Sequence, residues 1–423
     1  MEDFYARDKK FVAEPPKSFW NRLRYLGPSL ILTANVVGSG ELIVTTSLGA
    51  KAGFVTLWVV LVSCIAKVAI QLEFGKHAIR TGYTTMEAFD KLSGPSIKGT
   101  NWTVYVWTVV KSFQLVQYGG IIGGVALALN IAFPAISVVI WALVAGFLTI
   151  ILTVVVKYDL LEKFSIFLVA AFSLFTIYCV LAIQTTEFSL SVEAVLSGLK
   201  FDLPPEVLGF AMAMFAITGV GADEIISYPY WCIEKGYARF TGPKQETEDW
   251  YRRARGWIRV MYLDGAVSLL IYTTTVAFYL LGATILHQRS VVPAGYDMIK
   301  TISTIYTESV GPGAMVVYLA GAIITLFSTL FVASISATRM FLDAFGRLRW
   351  LKFDDPQVRK MWFQRLGVLI PIIWTVSFVA IKLSVLMITI GALSLSFLLL
   401  IVLFAAVVFK FHEVDNRLKS GFV

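Results

Sequence analysis

Three carboxylates stand where an apolar chain ordinarily has none. Glu41 follows Gly38-Ser39-Gly40 in "NVVGSGELIV" (35–44), and Asp223 with Glu224 follows Gly219-Val220-Gly221 in "AITGVGADEI" (216–225). Acids inside a membrane-spanning stretch are costly to bury and by default mark an ion or substrate path. Three of them at one place repel one another unless a proton or a bound cation neutralises them. The chemistry they suggest is therefore the binding of a positively charged species. Carboxylates and flexible backbone carbonyls suit hard cations such as Mg²⁺, Ca²⁺ or Mn²⁺. Softer ligands are missing from both breaks, and His77, His287 and His412 fall at or beyond span ends, which argues against a histidine proton relay. Glu41 and Asp223 are the expected cation ligands, with backbone groups of Gly38 and Val220 contributing and Glu224 as a neighbouring, proton-carrying acid.

Other polar residues within apolar runs are less specific. Lys111, Gln114 and Gln117 recur at helical spacing and could line a cavity, with Lys111 paired to one of the three acids or to Asp264. Thr325, Ser328, Thr329 and Ser336 form a hydroxyl stripe; such groups most often satisfy neighbouring backbone, but could also coordinate sodium. Lys67 with Glu73, and Arg339 with Asp343, are expected to snorkel or to form gate-type ion pairs near span ends. Met212 and Met214 read as lipid- or core-facing filler. Cys64, Cys179 and Cys232 lack the spacing of a disulfide framework or a zinc site. No nucleophile–base pair or phosphate loop is present, so an enzyme is not indicated.

These side chains must be positioned by membrane helices. Of 423 residues 57% are hydrophobic and 15% charged, with a mean hydropathy of +0.74, the composition of an integral membrane protein. A spanning helix needs about 20 mostly apolar residues. Ten such runs are legible: 27–50, 55–75, 103–130, 133–156, 164–186, 206–234, 258–286, 313–345, 366–383 and 386–408. With a cytosolic N-terminus, 28 lysines and arginines fall inside and 5 outside, and one span more or fewer would destroy this bias. The net charge of +8 is thereby explained by topology rather than by nucleic acid. The opening residues read as a cytosolic tail without a signal peptide.

Ten spans divide five plus five, and an odd number per half forces an inverted repeat. The expected organisation is a tail (1–26), repeat 1 (27–200), repeat 2 (201–408) and a C-terminal tail (409–423). The first helix of each repeat is Gly-rich and acid-bearing near mid-span. Paired breaks of this kind point to a midplane binding site. Gly119, Gly120, Gly123 and Gly124 read instead as packing glycines. The acids favour true breaks at 38–40 and 219–221, each leaving a half-helix with Glu41, Asp223 and Glu224 in its first turn, where the dipole stabilises negative charge.

The stretch "YLGPSLILTANVVGSGELIVTTSLGAKAGFVTLWVVLVSCIAKVAIQLEFGKHAIRTG" (25–82) resembles the opening of Nramp metal-ion transporters, with a Gly-Pro start, a broken span 1, and "GAKAGF..LWV" leading into span 2. The likeness extends more weakly over "GVGADEIISYPYW" and "YLDGAVSLLIYTTTVAFYLLG". It implies a LeuT-type ten-helix, proton- or sodium-coupled transporter with its site at the breaks of spans 1 and 6. The chain departs from the family at that site. Gly38-Ser39-Gly40-Glu41 stands for Asp-Pro-Gly-Asn, Asp223 takes the place of the methionine, and Ile225, Tyr228 and Tyr230 occupy the region of the histidines. The loss of the soft thioether makes Mg²⁺ or Mn²⁺ the more consistent cargo, and Tyr228 and Ser328 join the cavity-lining candidates. "GSG" also resembles amino-acid permeases of the same superfamily, in which backbone N–H groups would hold a substrate carboxylate while Glu41 and Asp223 bind the ammonium. A third expectation is a non-transporting relative. The remaining expectations are a monomer in the plasma (inner) membrane with both termini cytoplasmic, no resident cofactor and no nucleic-acid partner.

Overall fold

A computed structural model describes residues 11–155, 158–272, 274–294, 297–353, 355–412 and 418. The start of the expected N-terminal tail and most of the C-terminal tail lie outside them. The described chain is almost wholly helical. Its principal elements are α1 (Pro28–Val36), a π-helical stretch (Val37–Thr45), α2 (Thr46–Ala52), α3 (Leu57–Thr81), α4 (Thr85–Asp90), a two-stranded hairpin of β1 (Ser96–Ile97) and β2 (Thr100–Asn101), α5 (Trp102–Ala132), α6 (Val138–Val155) and α7 (Tyr158–Ala182). There follow α8 (Pro205–Ile217), α9 (Ala222–Glu234), α10 (Glu248–Tyr272), α11 (Thr274–Leu281), α12 (Met298–Val310), α13 (Ala314–Arg347), α14 (Pro356–Ile381) and α15 (Ser384–Phe411). Among the described residues seven helical runs are long and apolar enough to cross a membrane, and two shorter apolar helices cover Val138–Val154 and Ala170–Thr185. Side chains such as Phe113, Phe147 and Leu400 are largely exposed. Their apolar surface faces outward because lipid is the solvent around this bundle.

α5 runs through the centre, against α6, α13, α14 and α15. Its glycines permit this: a Cβ at Gly120 would stand 2.6 Å from the Ser384 carbonyl, and one at Gly119 would stand 2.7 Å from that of Trp374. Close backbone approach through small residues is the usual way membrane helices gain packing contacts.

The two Gly-rich segments behave differently. In the second, helix ends at Ile217, Thr218 is extended, Gly219 takes φ +64°, and α9 begins at Ala222 with Asp223 and Glu224 in its first turn. Positive φ is what the glycine supplies there. The first segment is not broken, contrary to expectation. It passes from α1 through nine π-helical residues into α2, so Glu41 is not in the first turn of a half-helix. Here the glycine serves packing: a Cβ at Gly38 would lie 2.2 Å from Thr329 Oγ1 and 2.6 Å from the Thr325 carbonyl of α13. A π-helical stretch lets the chain keep its hydrogen bonds while locally changing which side chains face the neighbouring helices.

Candidate functional site

The π-helical stretch and the interruption at 218–221 meet in the interior. Glu41 Oε1 accepts the Gly219 N–H at 2.7 Å, its Oε2 accepts the Thr45 hydroxyl at 2.8 Å, and the Thr45 and Thr218 hydroxyls lie 2.9 Å apart. Glu41 is fully buried. It thereby satisfies a backbone donor that the broken helix leaves without an intrahelical partner.

The carbonyls on the other side of that interruption are met by Lys67 of α3. Its ammonium donates to the Phe215 carbonyl at 2.6 Å and to that of Thr218, which also take the Ser63 hydroxyl at 3.1 Å. The expected snorkelling pair of Lys67 with Glu73 is not formed. Lys67 is buried, and Glu73 pairs with Lys76 at 2.5 Å. A cation at the carbonyl end of a half-helix offsets both unpaired oxygens and the negative dipole end.

Asp223 carries a denser set of contacts. Its Oδ2 receives the Lys111 ammonium, Gln114 Nε2 at 2.7 Å and the Tyr118 hydroxyl at 2.9 Å, while Lys111 also donates to Gln114 Oε1 at 2.7 Å. Residues 111, 114 and 118 lie on one face of α5 at helical spacing. Lys111 therefore pairs with Asp223 and not with Asp264. All three donors crowd onto one carboxylate oxygen, and the buried Oδ1 has no hydrogen-bond partner. Glu224 Oε1 accepts the Asn35 amide N–H, which leaves Asn35 Oδ1 buried and equally without a partner. The Asn35 carbonyl accepts Thr329 Oγ1 at 2.8 Å, tying α1 to α13.

Asp223, Glu224, Asn35, Gln117, Tyr118 and Thr329 border a small cavity that Val36, Gly40, Ile217 and Leu395 complete, with room for about one water-sized occupant. The three acids do not converge as expected. Glu41 is turned onto Gly219 by the unbroken π-helical stretch and does not border the cavity. Among the described residues no group of three His, Cys, Asp or Glu side chains forms a ready-made metal site. The donors at the cavity are two carboxylates and amide or hydroxyl oxygens, with no soft ligand.

The remaining candidates are distributed around this centre. Val220 is buried in the non-helical link. Ser328 is buried with a hydroxyl lacking a partner, whereas Thr325 and Thr329 bond to helix carbonyls. Tyr228 is not at the cavity. It donates to Asp264 Oδ2 at 3.3 Å, where Asp264 also accepts the N–H groups of Gly27 at 2.8 Å and Ser29 at 2.7 Å and so caps α1. Arg339 grips Glu234 with two bonds, at 2.5 and 2.7 Å, rather than pairing with Asp343. Asp343 instead accepts the Tyr230 hydroxyl at 2.7 Å and meets Arg347, which reaches Glu87 of α4. Asn35 and Tyr118 escaped the sequence reading. Their only signals were an amide six positions before Glu41 and a hydroxyl seven after Lys111.

Residues 29–407 match the family model described as natural resistance-associated macrophage protein-like, or Nramp. Comparison with curated protein sequences gives no match. Among solved structures, the chain is similar to a manganese transporter of Eremococcus coleocola, with 15% identity, 96% of this chain and 84% of that one covered, and a TM-score of 0.64. It is also similar to MhsT in complex with L-phenylalanine (15% identity, 95% and 91% covered, TM-score 0.59) and to Mhp1, a nucleobase-cation-symport-1 family transporter (15%, 84% and 73%, TM-score 0.51). At these identities the likeness is one of fold, the fold of LeuT-type transporters, within which very different cargoes are carried.

Proposed function

The chain belongs to the Nramp family, and from that membership and the chemistry of the cavity we propose that it is a secondary transporter moving a hard divalent cation, Mg²⁺ or Mn²⁺, by alternating access. The observation that carries this reading is the pair of bare, buried acceptor oxygens, Asp223 Oδ1 and Asn35 Oδ1, at a cavity bordered also by Glu224. Buried polar atoms are ordinarily paired, and a site made only of oxygen donors suits a hard cation. Asp223, Glu224 and Asn35 hold the ion in this conformation, with the Val220 carbonyl in the adjoining link as a further donor. Glu41 joins when its bond to Gly219 is released, as the π-helical stretch at Gly38 shifts against α13. The Eremococcus coleocola relative, named as a manganese transporter, supports a metal cargo.

A carboxylate-bearing organic substrate is less consistent with this geometry. Backbone donors at a broken helix are what would hold its carboxylate, and Glu41 already occupies the Gly219 N–H.

The transporter has ten spans in two inverted repeats, 27–200 and 201–408. Seven long helices, the two shorter apolar ones and the composite run of α1, the π-helical stretch and α2 support that count. The excess of lysine and arginine in alternate loops supports cytoplasmic termini. It acts as a monomer in the plasma (inner) membrane, driven by a proton or sodium gradient, and needs no resident cofactor.

Uptake into proteoliposomes of Mn²⁺, Mg²⁺ and mixed amino acids tests the function, comparing the natural chain with Asp223→Asn and Glu41→Gln. Metal uptake that both substitutions abolish supports it. Metal-independent amino-acid uptake, or no flux under any gradient, contradicts it.

A further inference from the structure

Asp223 is already neutralised by a cation of the protein's own. The Lys111 ammonium is fully buried, lies against Asp223 Oδ2 and is held there by Gln114 Oε1 at 2.7 Å. Any ion binding at Asp223 Oδ1 shares one carboxylate with this ammonium. We propose that Lys111 is a specificity-determining residue that weakens monovalent cations as competitors for the cavity. The inference rests on the reading of Asp223 as a cation ligand.

The argument is electrostatic. A monovalent ion at Oδ1 would be repelled by a fixed like charge as large as its own, and its attraction to Asp223 is already partly spent on Lys111. A divalent ion doubles its attraction to both Asp223 and Glu224, while repulsion from Lys111 also doubles. With Asp223 and Glu224 against Lys111 and the weaker influence of Lys67 on Glu224, the net attraction left to a monovalent ion is half that of a divalent one, so the monovalent ion is the weaker competitor for the cavity. Burial of these groups within the bundle enlarges these terms relative to water.

Lys67 of α3, held on the Phe215 and Thr218 carbonyls, adds to the positive charge that Glu224 meets, and the charges on the helices packed against α5 do not offset Lys111. The runs 138–155, 366–381 and 384–409, which pack against α5, contain no charged residue. On α13, Arg339 is engaged with Glu234 and Asp343 with Arg347. On α4, Glu87 meets Lys91 and Arg347. On α12, Lys300 is exposed and Glu308 pairs with Arg289.

The test is equilibrium binding of Mn²⁺ to the full chain in nanodiscs, in NaCl and in N-methylglucamine chloride at matched ionic strength. In the natural chain, exchanging the two salts leaves Mn²⁺ affinity unchanged. Lys111→Gln, which retains a donor for Asp223, tightens Mn²⁺ binding by about tenfold and makes it sensitive to competition by Na⁺. Lys111→Arg keeps the charge and keeps the insensitivity. A purely structural role for Lys111 would weaken binding in both variants and create no competition. Mn²⁺ binding that weakens in Lys111→Gln, or stays insensitive to Na⁺, overturns the inference while leaving the proposed function standing. Should Lys111→Gln fail to fold, Na⁺ competition in the natural chain or in Lys111→Arg overturns it equally. Absence of both Mn²⁺ and Mg²⁺ binding in every form overturns both readings.

Discussion

The carboxylate of Glu41 accepts the backbone N–H of Gly219 at 2.7 Å, joining residues 178 apart in the chain at the point where the span of α8 and α9 loses its helix. The contact turns two separate irregularities into one junction. Glu41 offsets a donor, Lys67 offsets the opposing carbonyls, and the 218–221 link is held open between α8 and α9.

Glu41→Ala leaves the Gly219 N–H buried without an acceptor, which costs about 1–3 kcal/mol. Glu41→Gln keeps an acceptor oxygen and loses less. Denaturant unfolding in detergent should rank the natural chain above Gln and Gln above Ala. Equal stability of all three would mean that the contact contributes nothing.

The glycines should separate by mechanism. Gly219→Ala forces a side chain into left-handed backbone at φ +64°, costing about 1–2 kcal/mol. Gly38→Ala drives a methyl to 2.2 Å from Thr329 Oγ1, an overpacking of about 1–3 kcal/mol. Gly209→Ala meets nothing within 4 Å and should stabilise α8 by up to about 1 kcal/mol. Thermal unfolding of the three variants checks the order.

Two contact sets tie helix ends to neighbouring helices: Asp264 on the start of α1, and Arg339 of α13 on Glu234 at the end of α9. Breaking a well-formed two-bond pair releases α9 from α13. Glu234→Gln should therefore raise the maleimide labelling rate of buried Cys232 several-fold in a Cys64→Ala, Cys179→Ala background. An unchanged rate would show that this pair does not restrain opening.

Much of this was legible in the sequence, because a bilayer imposes length and polarity on every span. The apolar runs coincide closely with the helices, and the acids that stand out for their cost are those found buried with specific partners. Rotational phase was not legible. Whether Glu41 faces Asp223 or Gly219 depends on a π-helical stretch that composition does not announce, since Gly-Ser-Gly permits a break without requiring one. Tyr228 illustrates the same point: it lies five residues beyond Asp223, yet it points to Asp264. Lys67 read as a span-end lysine because its partners are backbone carbonyls, which leave no trace in the side-chain pattern. The pairing of Lys111 with Asp223 stood among the sequence alternatives, and the fold selects it by bringing the Lys111 ammonium onto Asp223 Oδ2.

The central claim is that a hard cation sits at the cavity between α1, α5 and α9. Anomalous diffraction from crystals grown with Mn²⁺ locates the ion directly. The account predicts a peak within coordination distance of Asp223 Oδ1 and Asn35 Oδ1, absent from Asp223→Asn crystals. A Mn²⁺ peak elsewhere in the bundle, or one that persists in Asp223→Asn, would contradict it.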